Sequence, residues 1–239
     1  MRMKRLLFAG ILCLLLASPV CAADMMSIER PIMISDEGRD TVAVDIEFIS
    51  EIDENNMEFT NYTITAENKV NDTLKGDLRL YFDFMPEHLS VLVDGEEAEI
   101  ITESESYQSS RYLVKFTLAP EETKTLDIDY AMLKVPQRWN IGLWSLKYYY
   151  NSPLNFHFET KDDEYFDQGN IRYDGEVSFG YDISDVNCNN CVYADNKVTV
   201  EDASYFSMDW EKKRIPIKAG IVYLCMIFAI VLYLAKKRR

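Results

Sequence analysis

Cys188 and Cys191, in Cys-Asn-Asn-Cys, are the residues of this 239-residue chain whose type and spacing point most directly to chemistry. Such a pair can close a disulfide, exchange thiols with another protein, or supply half of a tetrahedral zinc site. Thiol exchange needs the first cysteine at a helix start, where the helix dipole lowers the thiol pKa. Here Val192-Tyr193 and the segment Lys197 to Glu201 read as extended chain. Zinc needs two further ligands, and the two histidines, His88 and His157, are remote in sequence. A local disulfide is therefore the expectation, as for a cysteine pair outside the cytoplasm.

The acidic segment Lys161 to Asn170 is the second candidate, because Asp162, Asp163 and Asp167 could present several oxygens to calcium. Its spacing does not match an EF-hand loop, so a solvated loop is the plainer reading. Two histidines are few for nucleophilic triads. His157 alternates with Phe156 and Phe158, which puts it on the opposite, solvated side of a strand. No nucleophile elbow, zinc-peptidase helix motif, phosphate loop or dinucleotide fingerprint occurs. The expectation is a protein that is not an enzyme and carries no cofactor. Asn61-Tyr62-Thr63 and Asn71-Asp72-Thr73 are acceptor sequences for N-glycans in a secreted chain.

Aromatic residues crowd the second half of the chain. Exposed rings there would suit a sugar-binding surface, but the alternation of Trp144, Leu146, Tyr148 and Tyr150 puts them on one buried sheet face. Tyr149 is left as the exposed ring.

The elements that position these groups are strands. Val42, Val44, Ile46 and Phe48 point one way while Ala43, Asp45 and Glu47 point the other. The same period of two runs through Tyr62, Ile64 and Ala66; Leu78, Leu80, Phe82 and Phe84; Tyr112, Val114, Phe116 and Leu118; and Leu126, Ile128 and Tyr130. Asn68 to Gly76 reads as a connection, Val93-Asp94-Gly95-Glu96 as a tight hairpin, and Ala119-Pro120-Glu121-Glu122 as a turn. Later strands are expected at Leu143 to Tyr150, Leu154 to Thr160, Ile171 to Asp182, Lys197 to Glu201 and Tyr205 to Trp210. The class is all-β: an antiparallel immunoglobulin-like or fibronectin-like sandwich of one or two units, with a single C-terminal transmembrane helix. Residues 24–135 form the sandwich in this reading, and 136–211 a second β unit next to the membrane.

Both ends speak of a membrane. Met1 to Arg5, the apolar stretch Leu6 to Ala17 and Val20-Cys21-Ala22 make residues 1–23 a secretory signal peptide. Residues 215–235 are apolar but for Pro216 and Lys218, long enough to span a bilayer. The basic tail 236–239 marks the cytoplasmic side. Lys236 and Lys237 also resemble a dilysine retrieval signal, and the span with its basic cluster resembles a sortase-type signal without its motif; plain anchoring in the cell membrane is preferred. Trp210 then suggests an interfacial anchor.

Three of the 25 Lys and Arg residues fall in 1–23 and eight in 212–239, leaving 14 against all 40 Asp and Glu, a net charge of −26 between them. Such a field excludes nucleic acid as a partner and favours basic proteins or divalent cations. The expected function is non-catalytic: adhesion, envelope structure or an accessory subunit with a protein partner. The alternative is an extracytoplasmic module that binds carbohydrate (a glycan) or calcium.

Overall fold

Alternation of apolar and polar side chains has become seventeen strands in the computed structural model, which describes residues 41–106, 109–140, 145–160, 165–167, 170–183, 185–188 and 190–213. In chain order they are β1 (Val42–Ile52), β2 (Met57–Asn68), β3 (Leu74–Phe82), β4 (His88–Val93), β5 (Glu96–Glu97) and β6 (Ile100–Ser106). There follow β7 (Ser109–Leu118), β8 (Thr123–Leu133), β9 (Arg138–Asn140), β10 (Ser145–Asn151), β11 (Leu154–Glu159) and β12 (Tyr165–Asp167). The last are β13 (Asn170–Phe179), β14 (Asp185–Cys188), β15 (Cys191–Ala194), β16 (Lys197–Ala203) and β17 (Ser207–Lys213). No described residue is helical.

The strands form an eight-stranded sheet in the order β15-β16-β13-β1-β2-β8-β4-β5, a four-stranded sheet β14-β17-β10-β9 and a five-stranded sheet β12-β11-β3-β7-β6. Among the described residues, all ladders are antiparallel but one. β1 and β13 run parallel, Phe48 opposite Gly175, so the large sheet is mixed rather than purely antiparallel as expected. A parallel pair needs a long crossover, and here everything between β1 and β13 supplies it.

Sheet pairing ignores the boundary expected at 135–136. β13 lies beyond it yet pairs with β1 and carries β16 on its other side, and β11 pairs with β3, so both halves of the sequence share two sheets and one apolar core. The described residues all belong to a single compact unit, 31–239. The expected signal peptide 1–23 and span 215–235 lie outside the described residues. Among those described, no helix is long and apolar enough to cross a membrane.

One face of the large sheet buries Val44, Ile46, Phe48, Tyr62, Ile64, Leu126, Ile128 and Tyr130, as their parity requires. Aromatic rings join it to the other sheets. Phe82 of β3 meets Tyr130 edge-on at 4.9 Å, and Phe48 stacks on Tyr150 of β10 at 6.4 Å. Trp210 stacks on Tyr148 at 5.4 Å and its ring N–H donates to the Tyr181 hydroxyl at 3.1 Å. Trp210 is fully buried, so it is a core residue and not an interfacial anchor.

The turns follow their chemistry. Asp94 and Gly95, at φ 52° and 80°, make the expected hairpin between β4 and β5, since both central residues need positive φ. Gly76, by contrast, lies within β3 and not in a connection. A Cβ there would come within 2.4 Å of the Phe116 ring, its cross-strand partner, so the ring lies where a side chain would stand.

Candidate functional site

Parity that buries one face of the eight-stranded sheet exposes the other. Cross-strand pairing lines up Val192, Thr199, Glu176, Ile49, Asn61, Asp129 and Ser90 as one row across six neighbouring pairs of strands. Beside it run Glu47, Asp174, Thr63 and Asp127, and on the other side Glu51 and Phe59. Large apolar side chains stand free in this polar field: Val192 is 69%, Ile49 63% and Phe59 49% exposed. A shallow depression of about 460 Å³ opens among Glu47, Ile49, Asn61, Asp174, Glu176 and Glu201. It lies over the point where the β13–β16 ladder shifts register, between Tyr173 and Gly175.

The charge on this face is unbalanced. Arg172 is held between Asp174 at 2.8 Å and Asp202 at 3.3 Å, and Lys197 pairs with Glu176. Among the described residues, Glu47, Glu51, Asp129 and Glu201 have no cation within ion-pair distance. An exposed apolar centre ringed by unpaired carboxylates is suited to a partner carrying apolar and cationic groups.

A second polar group lies inside the fold. Glu58 is fully buried and its Oε1 accepts from Tyr130 at 2.5 Å and from Thr60 at 2.9 Å, while Lys134 Nζ lies 2.5 Å from Oε2. Ser50 joins Thr60 at 2.8 Å, and the Tyr62 and Tyr150 hydroxyls meet at 2.8 Å. The Lys134 ammonium lies 4.9 Å from the centre of the Tyr150 ring. Burial pushes Tyr62, Tyr130 and Tyr150 well above the usual phenol range. The void beside Tyr130 and Lys134 is about 30 Å³, room for a water and not for a substrate. This cluster holds the fold together.

The residues singled out in the sequence are scattered. Cys188 ends β14 and Cys191 begins β15, and they form a disulfide with Cα atoms 6.0 Å apart. It links edge strands of two different sheets. Asp162 and Asp163 lie outside the described residues. Asp167 belongs to β12, opposite His157. Among the described residues, no group of three His, Cys, Asp or Glu is placed to hold a metal ion. Asn61 stands exposed at the middle of the open face, and Asn71 is exposed in the β2–β3 turn. Tyr148, Tyr150, Phe156, Phe158, Tyr173 and Phe179 are buried, as core packing requires. Tyr149 is half-buried over Lys147. The large rings that do stand out include Phe59, Tyr193 and Tyr205.

Parity could have found what the sequence reading missed. Counting back in twos from Tyr62 puts Thr60 and Glu58 inside and Phe59 outside; counting on from Phe48 puts Ile49 on the polar face. Lys134 continues the inward series Leu126, Ile128, Tyr130 and Met132 just past β8.

No family model matches the sequence. No curated protein matches it either. Among solved structures it is similar to an M1 zinc metallopeptidase from Deinococcus radiodurans, with 14% identity, TM-score 0.37, and coverage of 72% of this chain and 42% of that one. It is also similar to native leukotriene A4 hydrolase from Saccharomyces cerevisiae (13%, TM-score 0.36, 72% and 29%). A candidate nutrient binding protein from Legionella pneumophila gives 9% identity and a TM-score of 0.40, over 72% of this chain and 68% of that one. The chain spans less than half the length of the metallopeptidases it matches. Likeness at this level assigns neither a fold family nor an activity.

Proposed function

We propose that this chain is a single-pass, membrane-anchored surface protein whose β-sandwich, of immunoglobulin-like or fibronectin-like type, serves a non-catalytic interaction. It works as an adhesion, envelope or accessory-subunit module, and the open face of the eight-stranded sheet is its contact surface. The observation that carries this reading is the exposure of Ile49, Phe59 and Val192 on a face where, among the described residues, Glu47, Glu51, Asp129 and Glu201 have no cation within ion-pair distance. The apolar segment 215–235 and basic tail support the anchor, and the N-terminal 23 residues support export. Its partner is a protein with a basic, apolar-studded surface.

The test has two arms. Protease added to intact cells is expected to digest the β-rich part and leave a short membrane-bound stub; complete protection would overturn the surface address. In the second arm, Ile49→Arg with Phe59→Arg is compared with wild type by quantitative co-purification from solubilised membranes. Both positions are exposed, so stability should stay within about 0.5 kcal/mol, while the co-purifying partner is lost. Unchanged recovery would remove this face as the contact surface.

A further inference from the structure

The sheets end in six strands, and five of them carry a charge: β5 has Glu96 and Glu97, β6 Glu103 and Glu105, β9 Arg138, β12 Asp167 and β14 Asp185. Charge on an edge strand discourages the addition of a further strand. Among the described residues β15, Cys191-Val192-Tyr193-Ala194, is the edge without that protection. Val192 and Tyr193 point to opposite faces, yet they are 69% and 42% exposed. The strand therefore stands clear on both sides.

Its backbone is equally open. Asp195 and Asn196 both have positive φ, 52° and 59°, and join β15 to β16 as a two-residue hairpin. In such a hairpin the residues flanking the turn, Ala194 and Lys197, bond to each other, and the alternation of an antiparallel ladder makes Val192 and Thr199 the next bonded pair. Cys191 and Tyr193 consequently turn their N–H and C=O groups outward, away from β16. The disulfide from Cys191 to Cys188 ties the start of this strand to the edge of the four-stranded sheet, which fixes it before any partner arrives.

Resting on the reading of the open sheet face as the contact surface, we infer that β15 is its docking edge: an extended basic segment of a partner protein adds there as a ninth strand. Strand addition supplies affinity through main-chain bonds and specificity through alternate side chains. A segment of alternating character would set cations on the open face, beside Val192 and toward Glu201, and apolar side chains on the face of Tyr193, while Lys197 is already matched by Glu176. Charge selects this occupant over a second copy, since two copies would bring the same unpaired carboxylates together in a chain of net charge −15.

The full chain, purified in detergent micelles, is titrated with a labelled nine-residue peptide alternating lysine and valine. A glutamate–valine peptide is the control. Binding is read by anisotropy and its place by amide hydrogen exchange. The lysine peptide is expected to saturate and to slow exchange in 191–194, and the glutamate peptide to do neither. Tyr193→Pro removes an outward N–H where an edge tolerates proline, and Val192→Lys installs the missing charge; each should weaken binding at least tenfold at unchanged melting temperature. Equal affinity in both variants, or protection confined to other strands, would overturn the proposal. Loss of binding in Ile49→Arg with full binding in Tyr193→Pro would keep the open face and remove the edge, and indifference to all three would remove both. A wild-type dimer that Tyr193→Pro converts to monomer would assign the edge to a second copy and overturn the basic occupant.

Discussion

Glu58 and Lys134 have left water together, one fully buried and the other nearly so, and each depends on the other for compensation. Breaking a buried pair costs more than never having one, because the surviving charge stays without its partner in a medium that solvates it poorly. Lys134→Met is therefore expected to lower unfolding free energy by about 3–5 kcal/mol in denaturant melts. Adding Glu58→Leu should recover much of that loss, although the Tyr130 and Thr60 hydroxyls then lose their acceptor. A double variant as unstable as the single one would contradict this account. The tyrosines nearby give a pH dependence. Burial pushes Tyr173 up from 10.0 to about 12, and Tyr62, Tyr130 and Tyr150 also move upward. A phenol whose folded pKa is raised stays protonated in the native state while the unfolded chain releases its proton. The stability it contributes is complete below pH 10 and is lost as pH climbs from 10 through 12. Melts between about pH 9 and 12 should show this fall, about 1.4 kcal/mol per pH unit for each such tyrosine, and Tyr173→Phe should make it shallower.

At the scale of strands, period two carries the reading of β1, β2, β3, β7 and β8, because each has a buried and an exposed face. It does not reveal which strand pairs with which. The parallel partnership of β1 and β13 joins residues 43–52 to 170–179, and nothing local in either segment announces it. Short edge strands are harder for a related reason: half-exposed and exposed residues leave β14 no apolar rhythm to read, while β15, with three exposed residues in a row, shows only that Val192-Tyr193 is extended and not that it forms a sheet edge. The exposed Ile49 and Phe59, and the buried Glu58, are legible only by trusting parity over hydropathy. Gly76 reads as turn chemistry because glycine serves turns and close approaches alike. Here it serves the approach, with the Phe116 ring lying over the strand. Gly76→Ala should thus destabilise by about 1–3 kcal/mol through overpacking, and Phe116→Leu in the same chain should relieve part of that cost. Additive losses in a double-mutant cycle would show that the ring is not what excludes the methyl.

For the whole molecule, charge governs behaviour outside the core. Residues between the signal-like segment and Lys212 hold all 40 carboxylates and 14 of the 25 cations, a net −26. Compaction brings those charges together, and the resulting repulsion is screened over about 10 Å at 0.1 M salt. Several ion pairs relieve it locally. Lys124 bridges Asp94 at 3.0 Å, and the Thr125 amide together with that ammonium holds the Asp94 carboxyl below its ordinary value. These exposed pairs weaken in salt while the general repulsion falls, and isolated surface pairs contribute only about 0–1 kcal/mol. Repulsion among the remaining carboxylates should prevail, so melting temperature is expected to rise smoothly with sodium chloride. Calcium offers the contrast, since a dedicated site would stabilise in a saturable way set by the ratio of free ion to its dissociation constant. Melts across calcium at constant ionic strength should show no such saturation, either in the wild type or in Asp163→Asn with Asp167→Asn. A saturating shift that those substitutions abolish would establish a site in the 161–170 segment, and the acidity of this chain would then be partly that of a binding loop.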